Sequence, residues 1–317
     1  MFKKIVSLVV LSFVISCVGY ASPSTSEITP EKICNAKECY TVLKTLGEGA
    51  FGVVYEVKDS AGNLYAIKSY RKFEKDSPLA NIPFADPLRE YSRGQLFDHP
   101  NIIKSYNLFT NNTLGQDTTY LVLQFVDGKI MQSIDKGRFS REEAYYLSLQ
   151  FIEALRYALS LGFLHLDLHG GNIMVDQSNN IKIIDLASFF SVDEMTTFAK
   201  QQSPNQSEQE KGYPIKDNKM HKFFGKNPQL LTKMQEKKPS KQQDFDQVQF
   251  GYMLSYYFNT LTDFCASILS KSDMTREEKF ELRAQIKKVA WAYTEDIEDG
   301  LNVSIDDYFD QLTTTLQ

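Results

Sequence analysis

A glycine-rich segment and a lysine beyond it form the first group of residues whose spacing suggests chemistry. Residues 47–54 read GEGAFGVV, and strand-like runs lie on both sides. A glycine-rich hairpin lets backbone amides approach polyphosphate oxygens because no Cβ stands in the way. Lys68 ends the next strand-like run, YAIK, and Glu90 in a predicted helix is the acid that could fix its position. The segment therefore predicts a phosphate site built from Gly47, Gly49, Gly52 and Lys68.

A cluster of polar residues forms the second group. Residues 165–172 read HLDLHGGN, on a predicted loop between a long helix and a strand, and Asp185 follows in the run IKIIDL. An Asp with an Asn amide oxygen supplies the hard ligands that Mg²⁺ prefers, which points to Asn172 and Asp185. A further carboxylate, Asp167, can orient a hydroxyl nucleophile and accept its proton. Phosphoryl transfer needs little more than such positioning and charge neutralisation.

The elements that must position these residues divide into two parts. Residues 40–126 hold short β-type runs separated by turns, with a single helix predicted at 86–97. After about residue 128 the pattern is mainly helical, and a long helix begins at a capping box of Ser140 and Glu143. The predicted fold class is α+β, with a small antiparallel-sheet lobe followed by a larger, mainly helical lobe.

The order of these motifs resembles that of the eukaryotic-like protein kinases, from about residue 40 to the C-terminus. GEGAFGVV is similar to the glycine-rich loop, YAIK to the VAIK motif and HLDLHGGN to H-R-D-x-x-x-x-N, while DLA stands where DFG is expected. NPQ at 227–229 is similar to a degraded A-P-E, and DQVQFG at 246–251 to the αF segment. The resemblance implies a bilobal fold, with an N-lobe at 40–126, a C-lobe at 127–317 and an activation segment at about 185–229.

The resemblance also implies ATP and Mg²⁺ as cofactors and a role for each site residue. The residues implied to contact the nucleotide are Gly47, Gly49, Gly52, Val54, Ala66, Lys68, Gln124 and Val126. The catalytic residues implied are Lys68, Glu90, Asp167, Asn172 and Asp185. Among them Asp167 is the base, and Asn172 and Asp185 are the metal ligands. Leu123 takes the gatekeeper position, and residues 124–126 form the hinge. The substrate implied is a protein hydroxyl group, of the Ser/Thr type.

Several positions depart from the family pattern. Leu166 replaces the arginine that often pairs with a phosphorylated activation loop, which predicts a kinase that is active by default or switched in another way. Ala187 replaces the DFG glycine, and His169 stands where a lysine is common. D-L-H-x-G-N also resembles small-molecule kinases, so a metabolite or aminoglycoside-type kinase is the alternative. A nucleotide-binding pseudokinase scaffold is the third interpretation.

The N-terminus reads as an export signal. Residues 1–21 combine two lysines, a short apolar run and small residues, which is typical of a signal peptide. VISC at 14–17 also resembles a lipobox that would acylate Cys17, and an uncleaved anchor is a third option. Without lipidation or such an anchor, no stable membrane span is expected in the mature chain. Residues 22–39 are predicted to be a leader to the domain.

Composition narrows the function classes. The 317 residues are 42% hydrophobic and 24% charged, which is typical of a globular protein. The net charge is −5 and no basic stripe is present, so nucleic acid is not expected as a partner. Four cysteines do not make a disulfide scaffold; Cys34 and Cys39 are either bridged or free, and Cys265 is expected in the core. The oligomeric state is not predicted.

Export and kinase chemistry conflict, because a periplasm holds little ATP. The hypothesis that removes the conflict is a secreted bacterial effector that enters a host cell and phosphorylates host proteins. An anchored extracytoplasmic kinase with another donor and a cytoplasmic enzyme with a misread leader are the alternatives. Residues 191–226 are either an activation segment with autophosphorylation at Ser203, Ser207 or Tyr213, or a solvated loop.

Overall fold

The computed structural model describes six parts of the chain, separated by gaps. They are residues 30–49, 51–72, 86–112, 117–195, 261–298 and 304–317. A six-stranded antiparallel sheet occupies their N-terminal part, and helices with two small sheets make up the rest. This α+β arrangement is the fold class that the sequence predicts.

The N-terminal sheet places the predicted phosphate site at one of its hairpins. Its strands are β1 (Lys32–Cys34), β2 (Cys39–Gly49), β3 (Gly52–Lys58), β4 (Leu64–Tyr70), β5 (Ser105–Asn112) and β6 (Asp117–Gln124). Their order is β1-β2-β3-β4-β6-β5, and each neighbouring pair is antiparallel. Helix α1 (Pro87–Leu96) lies in the connection between β4 and β5. The sequence predicts β2 to β6 and α1, whereas it does not predict β1.

The two faces of this sheet pack into different clusters. One face carries Ile33, Tyr40, Val53, Tyr55, Val57, Ile67, Tyr120 and Val122. The other contributes Ala66, Tyr70, Leu121 and Leu123 to the main core, which continues into the C-terminal lobe. Because side chains alternate along a strand, Lys68 shares the second face with Ala66 and Tyr70. The lysine therefore faces the rest of the protein.

Strand β1 is a correction to the predicted leader at 22–39. Residues 32–34 pair with β2, so the sheet begins before residue 40. Cys34 lies opposite Cys39 in this pair, and the two form a disulfide, which decides between the two states that the sequence leaves open. Ile33, which precedes Cys34 and lies opposite Tyr40, is fully buried. A three-residue strand carries too little alternation to be recognised from sequence.

Helix α1 begins at a cap and places its glutamate inward. Asp86 accepts a hydrogen bond from the backbone N–H of Leu88 at 2.9 Å, and Pro87 occupies the first turn. The helix ends at Phe97, whose N–H donates to the carbonyl of Arg93. Glu90 in the first turn is 2% exposed. These local signals confirm the helix predicted at 86–97.

The long helix of the C-terminal lobe, α2 (Arg141–Ser160), confirms the predicted capping box. The Ser140 hydroxyl accepts the Glu143 N–H at 3.1 Å, and the Glu143 carboxylate accepts the Ser140 N–H at 2.8 Å. The apolar face of α2 is fully buried along its length, at Ala144, Leu147, Phe151, Ala154, Leu155 and Ala158. Burial of this face anchors the loop that follows the helix to the core.

Five short strands fix the ends of the loops that carry the polar cluster. They are β7 (Gly128–Ile130), β8 (Phe163–His165), β9 (Ile173–Asp176), β10 (Ile181–Ile183) and β11 (Phe189–Ser191). Strand β8 pairs with β11, and β9 pairs with β10. The loop from β8 to β9 therefore lies beside the loop from β10 to β11. The sequence predicts β9 and β10 but not the other three.

The C-terminal helices pack beside α2. Residues 261–269 are helical, and they are followed by α3 (Arg276–Glu298) and α4 (Ile305–Leu316). Arg156 of α2 pairs with Asp306 and Asp310 of α4 at 2.8 Å each. Cys265 is buried as predicted, and burial raises the pKa of its thiol. Among the helices in the described ranges, none is long and apolar enough to cross a membrane.

Some predictions fall outside the described residues. These are the signal at 1–21 with Cys17, the activation segment beyond residue 195 with Ser203, Ser207 and Tyr213, and the NPQ and DQVQFG motifs.

Candidate active site

The lysine of β4 and the glutamate of α1 form an ion pair. The Lys68 Nζ lies 2.5 Å from the Glu90 Oε2. The Tyr70 hydroxyl, two residues along β4 on the same face, donates a hydrogen bond to the same oxygen. Burial first, and then the charges of Glu90 and Asp185, raise the pKa of Tyr70, so this phenol stays protonated and remains a donor. Glu90 is thereby held by two donors from one strand.

Residues predicted to contact the nucleotide share the face of Lys68. In the antiparallel register Val54 lies opposite Lys68, and Ala66 lies opposite Leu123. Directly opposed residues point to the same face of a sheet. Ala66 and Leu123 are buried, whereas Val54 is half-buried and packs against the main core. The sheet therefore brings Val54, Ala66 and Lys68 together beneath the glycine-rich hairpin.

The three glycines of the hairpin serve two different purposes. A Cβ added at Gly47 or at Gly49 would meet no atom within 4 Å. A Cβ at Gly52 would lie 1.8 Å from the Ser69 carbonyl oxygen, and the φ of Gly52 is +151°. Gly52 is required by packing on β4, whereas Gly47 and Gly49 leave open space at the hairpin. That space suits phosphate oxygens that approach the backbone.

The predicted hinge lies where β6 ends. Gln124 is the last residue of β6, and its backbone N–H donates to the Lys104 carbonyl at 2.9 Å. Its side-chain oxygen accepts a hydrogen bond from the Lys182 Nζ at 3.4 Å. Val126 is half-buried against the main core. Gln124 is thus tied to the residue that precedes β5 and to β10, and the segment up to Val126 joins the two lobes.

The polar residues of the second group meet through one amide. The Asn172 Nδ2 donates to the Asp167 carbonyl at 2.8 Å, to the Asp167 carboxylate at 3.3 Å and to the Asp185 carboxylate at 3.4 Å. Asn172 closes a 3₁₀ turn at Gly170–Asn172, and its N–H donates to the His169 carbonyl at 2.9 Å. The structure therefore brings Asp167, Asn172 and Asp185 into one cluster.

Asp185 is oriented by a residue that sequence reasoning missed. The Ser188 hydroxyl donates to the Asp185 carboxylate, and the Ser188 carbonyl accepts the Leu166 N–H at 3.0 Å. The Ile184 N–H donates to the Asn172 carbonyl at 3.0 Å, which ties the two loops a second time. Ser188 is fully buried. Its position three residues after Asp185 is the sequence signal that could have identified it.

His169 also lies within the cluster. Its Nδ1 accepts the Gly171 N–H at 3.0 Å, which leaves the proton of the neutral ring on Nε2. The Nε2 lies 3.5 Å from the Asp167 carboxylate. His169 is therefore turned toward the carboxylate that is predicted to act as the base.

Asn172 and Asp185 fit a magnesium ion chemically. The three hydrogen bonds of the Asn172 side chain all use its nitrogen as donor, so none of them involves the amide oxygen, which is the atom that would bind the metal. In the described ranges, no cluster of three or more His, Cys, Asp or Glu side chains could hold a metal. Mg²⁺ is commonly held by one or two carboxylates together with substrate phosphates rather than by an all-protein cage. A site of two protein ligands therefore suits a metal that arrives with a nucleotide.

Comparison with known families agrees with this geometry. The family described as the protein kinase domain matches residues 40–204, which is more than half of the 317 residues. The chain belongs to the protein kinase family. The resemblance predicted from the motifs is confirmed, and the α+β kinase fold is confirmed with it.

Relatives of the chain are named as kinases. NUAK family SNF1-like kinase 2 of Rattus norvegicus is 32% identical over 155 residues, 48% of this chain and 23% of that protein. A probable serine/threonine-protein kinase KIN1 homolog of Enterocytozoon bieneusi is 32% identical over 161 residues, 49% of this chain and 26% of that protein. CBL-interacting protein kinase 1 of Oryza sativa is 33% identical over 150 residues, which is 46% of this chain and 31% of that protein. The chain spans less than a third of the length of these three relatives.

Proposed function

We propose that this protein kinase transfers the γ-phosphate of ATP to hydroxyl groups of protein substrates, of the Ser/Thr type. The observation that carries the proposal is the coexistence of the Lys68–Glu90 ion pair with the Asp167–Asn172–Asp185 cluster. A pseudokinase would not need both. A relative named as a serine/threonine-protein kinase supports the acceptor class.

The N-lobe residues would bind the nucleotide. Gly47 and Gly49 leave space for the phosphates at the hairpin, and Lys68 supplies a cation that Glu90 holds in place. Val54 and Ala66 share the face of Lys68, which suits contact with the base. Asn172 and Asp185 would hold Mg²⁺, which supplies charge neutralisation on the phosphates when bound.

The Asp167 carboxylate would orient the substrate hydroxyl and accept its proton. The hydroxyl oxygen forms a bond to the γ-phosphorus, the bond from that phosphorus to the β–γ bridging oxygen breaks, and ADP leaves. Asn172 donates to Asp167 and limits its rotation. A positioned general base contributes about 10²–10⁴-fold to the rate. These residues act mainly by holding charge and geometry.

The transfer assay is the test of this proposal. The full chain is incubated with Mg²⁺, γ-labelled ATP and a mixture of acceptor proteins, beside Lys68→Met and Asp185→Ala variants whose folding is checked by circular dichroism. We expect label on protein serine or threonine that both variants lose. ATP binding without protein labelling would contradict the proposal. Label on small acceptors alone would instead favour the metabolite kinase. No transfer of label to any acceptor would favour the pseudokinase.

We also propose that the protein is exported, as an effector that acts on host proteins. The signal-like residues 1–21 support export, and so does the Cys34–Cys39 disulfide, since disulfides persist mainly in oxidising compartments. Fractionation of tagged protein during infection tests this proposal. We expect it outside the producing cell, without residues 1–21 or acylated at Cys17. Recovery from the producer's cytoplasm alone, with both thiols free, would contradict it.

A further inference from the structure

Two arginines of α1 converge on one carboxylate beyond the DLA motif. Arg89 and Arg93 stand one helical turn apart. The Arg89 Nη1 lies 2.6 Å from the Glu194 Oε1, and the Arg93 Nη2 lies 2.9 Å from both Glu194 oxygens. The side chains of Arg89 and Arg93 are 11% and 15% exposed, and that of Glu194 is 33% exposed. This cluster, Arg89–Arg93–Glu194, joins α1 to the start of the predicted activation segment.

The same guanidinium groups also hold backbone of that segment. Arg89 donates to the Ala187 carbonyl at 3.1 Å and to the Phe189 carbonyl at 2.9 Å. Arg93 donates to the Phe189 carbonyl at 3.3 Å. Arg89 also lies over the Phe190 ring, 4.3 Å from its centroid. The contacts therefore span the residues directly after Asp185 and fix their path against α1.

Glu194 is held in place from its own side. The Ser191 N–H donates to the Glu194 carboxylate at 2.7 Å, and the Glu194 N–H donates to the Ser191 hydroxyl at 3.1 Å. Such a reciprocal pair is a capping box, and it opens the helical residues 192–195. The carboxylate thus presents a preorganised acceptor to both arginines.

The charges make Glu194 necessary to the cluster. Burial opposes ionisation of Glu194, but hydrogen bonds from Arg89 and Ser191 and both arginine charges outweigh it and lower its pKa. Burial lowers the pKa of Arg93, and Arg89 lowers it further, whereas Glu194 opposes both effects. Without the carboxylate, two half-buried cations would face each other across one turn. Because the pKa of Glu194 is lowered, its carboxylate contributes to the cluster at neutral pH and loses that contribution only in acid.

The cluster bears on both halves of the site. Arg89 immediately precedes Glu90, whose position sets the ion pair with Lys68. Ala187, which Arg89 holds, lies two residues after Asp185. Leu166 at the HLD motif carries no charge that could pair with a phosphorylated residue. The arginine that the family resemblance implies at this position is thus absent, while a carboxylate contact to α1 is present.

We propose that Glu194 is a positioning residue that, through Arg89 and Arg93, holds α1 and the segment after Asp185 in the arrangement for phosphoryl transfer without prior phosphorylation. The inference rests on the proposed kinase function. A phosphate on an activation segment acts by pairing with arginines and ordering a loop. Here a genetically encoded carboxylate makes the corresponding contacts.

Kinetics of unphosphorylated protein test the inference. The full chain is treated with phosphatase, shown by mass to carry no phosphate, and assayed as wild type, Glu194→Gln and Asp193→Asn. Asp193 is the matched control because it is the neighbouring carboxylate, is exposed, and has no ion pair within the described residues. We expect wild type and Asp193→Asn to be active at equal rates. The kcat of Glu194→Gln should fall by about tenfold to 10²-fold, because a misplacement of about 1 Å can cost about 10²-fold, and the KM for ATP should change less.

Hydrogen exchange of the α1 amides gives a readout that does not depend on activity. In Glu194→Gln the α1 amides should exchange at least several-fold faster than in wild type, while the exchange of the α2 amides stays the same. In Asp193→Asn both helices should exchange as in wild type. Equal α1 exchange and equal kcat in Glu194→Gln and wild type would overturn the inference. Loss of wild-type activity on phosphatase treatment would also overturn it. If wild type transfers no phosphate before or after treatment, the proposed function fails, and the exchange measurement still decides whether Glu194 holds α1.

Discussion

The glycine-rich hairpin and the loop at 165–172 are held in place in opposite ways. At the hairpin, Gly47 and Gly49 face open space. In the loop, one amide of Asn172 joins both Asp167 and Asp185, and backbone hydrogen bonds tie the neighbouring loop to it. The N-terminal half of the site therefore has unfilled space at its glycines, whereas the polar side chains of the C-terminal half are already hydrogen-bonded to one another.

The difference shows where preorganisation lies in this protein. Groups that stabilise developing charge act best when they are fixed before the reaction, which the loop at 165–172 satisfies. The hairpin instead reserves backbone groups for a ligand, and only its last glycine is constrained by packing, at Gly52. Changes in the loop should therefore affect the rate, whereas changes in the hairpin should divide between folding and nucleotide binding.

The largest effect is expected for Asp167→Asn. Asparagine preserves the shape but cannot accept a proton, so kcat should fall by about 10²–10⁴-fold. The Asn172 hydrogen bond to the Asp167 carbonyl is a backbone contact and remains available. Steady-state phosphoryl transfer measures the loss, and thermal unfolding should stay close to that of wild type. A fall of less than tenfold would show that Asp167 is not the base.

The second effect concerns packing at the end of the hairpin. Gly52→Ala places a Cβ 1.8 Å from the Ser69 carbonyl oxygen at a φ of +151°. We expect it to lower the free energy of unfolding by about 1–3 kcal/mol or more, the scale of a strained backbone position. Urea unfolding without nucleotide measures it. Stability equal to wild type would mean that β3 and β4 can separate at this point.

The third effect tests the opposite end of β2. Replacing Cys34 and Cys39 together by serine removes the disulfide that joins β1 to β2. The loop-entropy relation predicts a loss of about 2 kcal/mol in the free energy of unfolding for so short a loop. Unfolding with and without reductant measures it, and reductant should not affect the double variant. Transfer activity should be retained, because β1 lies at the sheet edge away from Lys68.

The smallest effect is expected at the open glycine. Gly49→Ala meets no atom within 4 Å, so unfolding should stay within about 0.5 kcal/mol of wild type. If phosphates approach this backbone, the apparent KM for ATP should rise by about threefold to tenfold through lost binding. Initial rates across ATP concentrations measure it. Gly62→Ala, in the β3–β4 turn away from the hairpin, is a control for the KM alone, because the φ of Gly62 is +92° and a side chain there is strained. An unchanged KM would place the phosphates elsewhere.

Much of the site could be predicted because its residues carry local signals. The glycine pattern, the caps at Asp86 and Ser140 and the spacing of Asp167 and Asn172 depend on short stretches of chain. Glycine freedom and capping are properties of a few neighbouring residues. The sequence by itself therefore determined the α+β class, α1, α2 and the candidate catalytic residues.

Tertiary structure alone decided which charges and strands meet. Arg89 and Glu194 are 105 positions apart, and each reads in sequence as an ordinary solvated charge. The pairing of β8 with β11 likewise depends on register between separate segments of the chain. Such contacts leave no periodic or local pattern, because the energy that selects them comes from burial and pairing in the assembled fold.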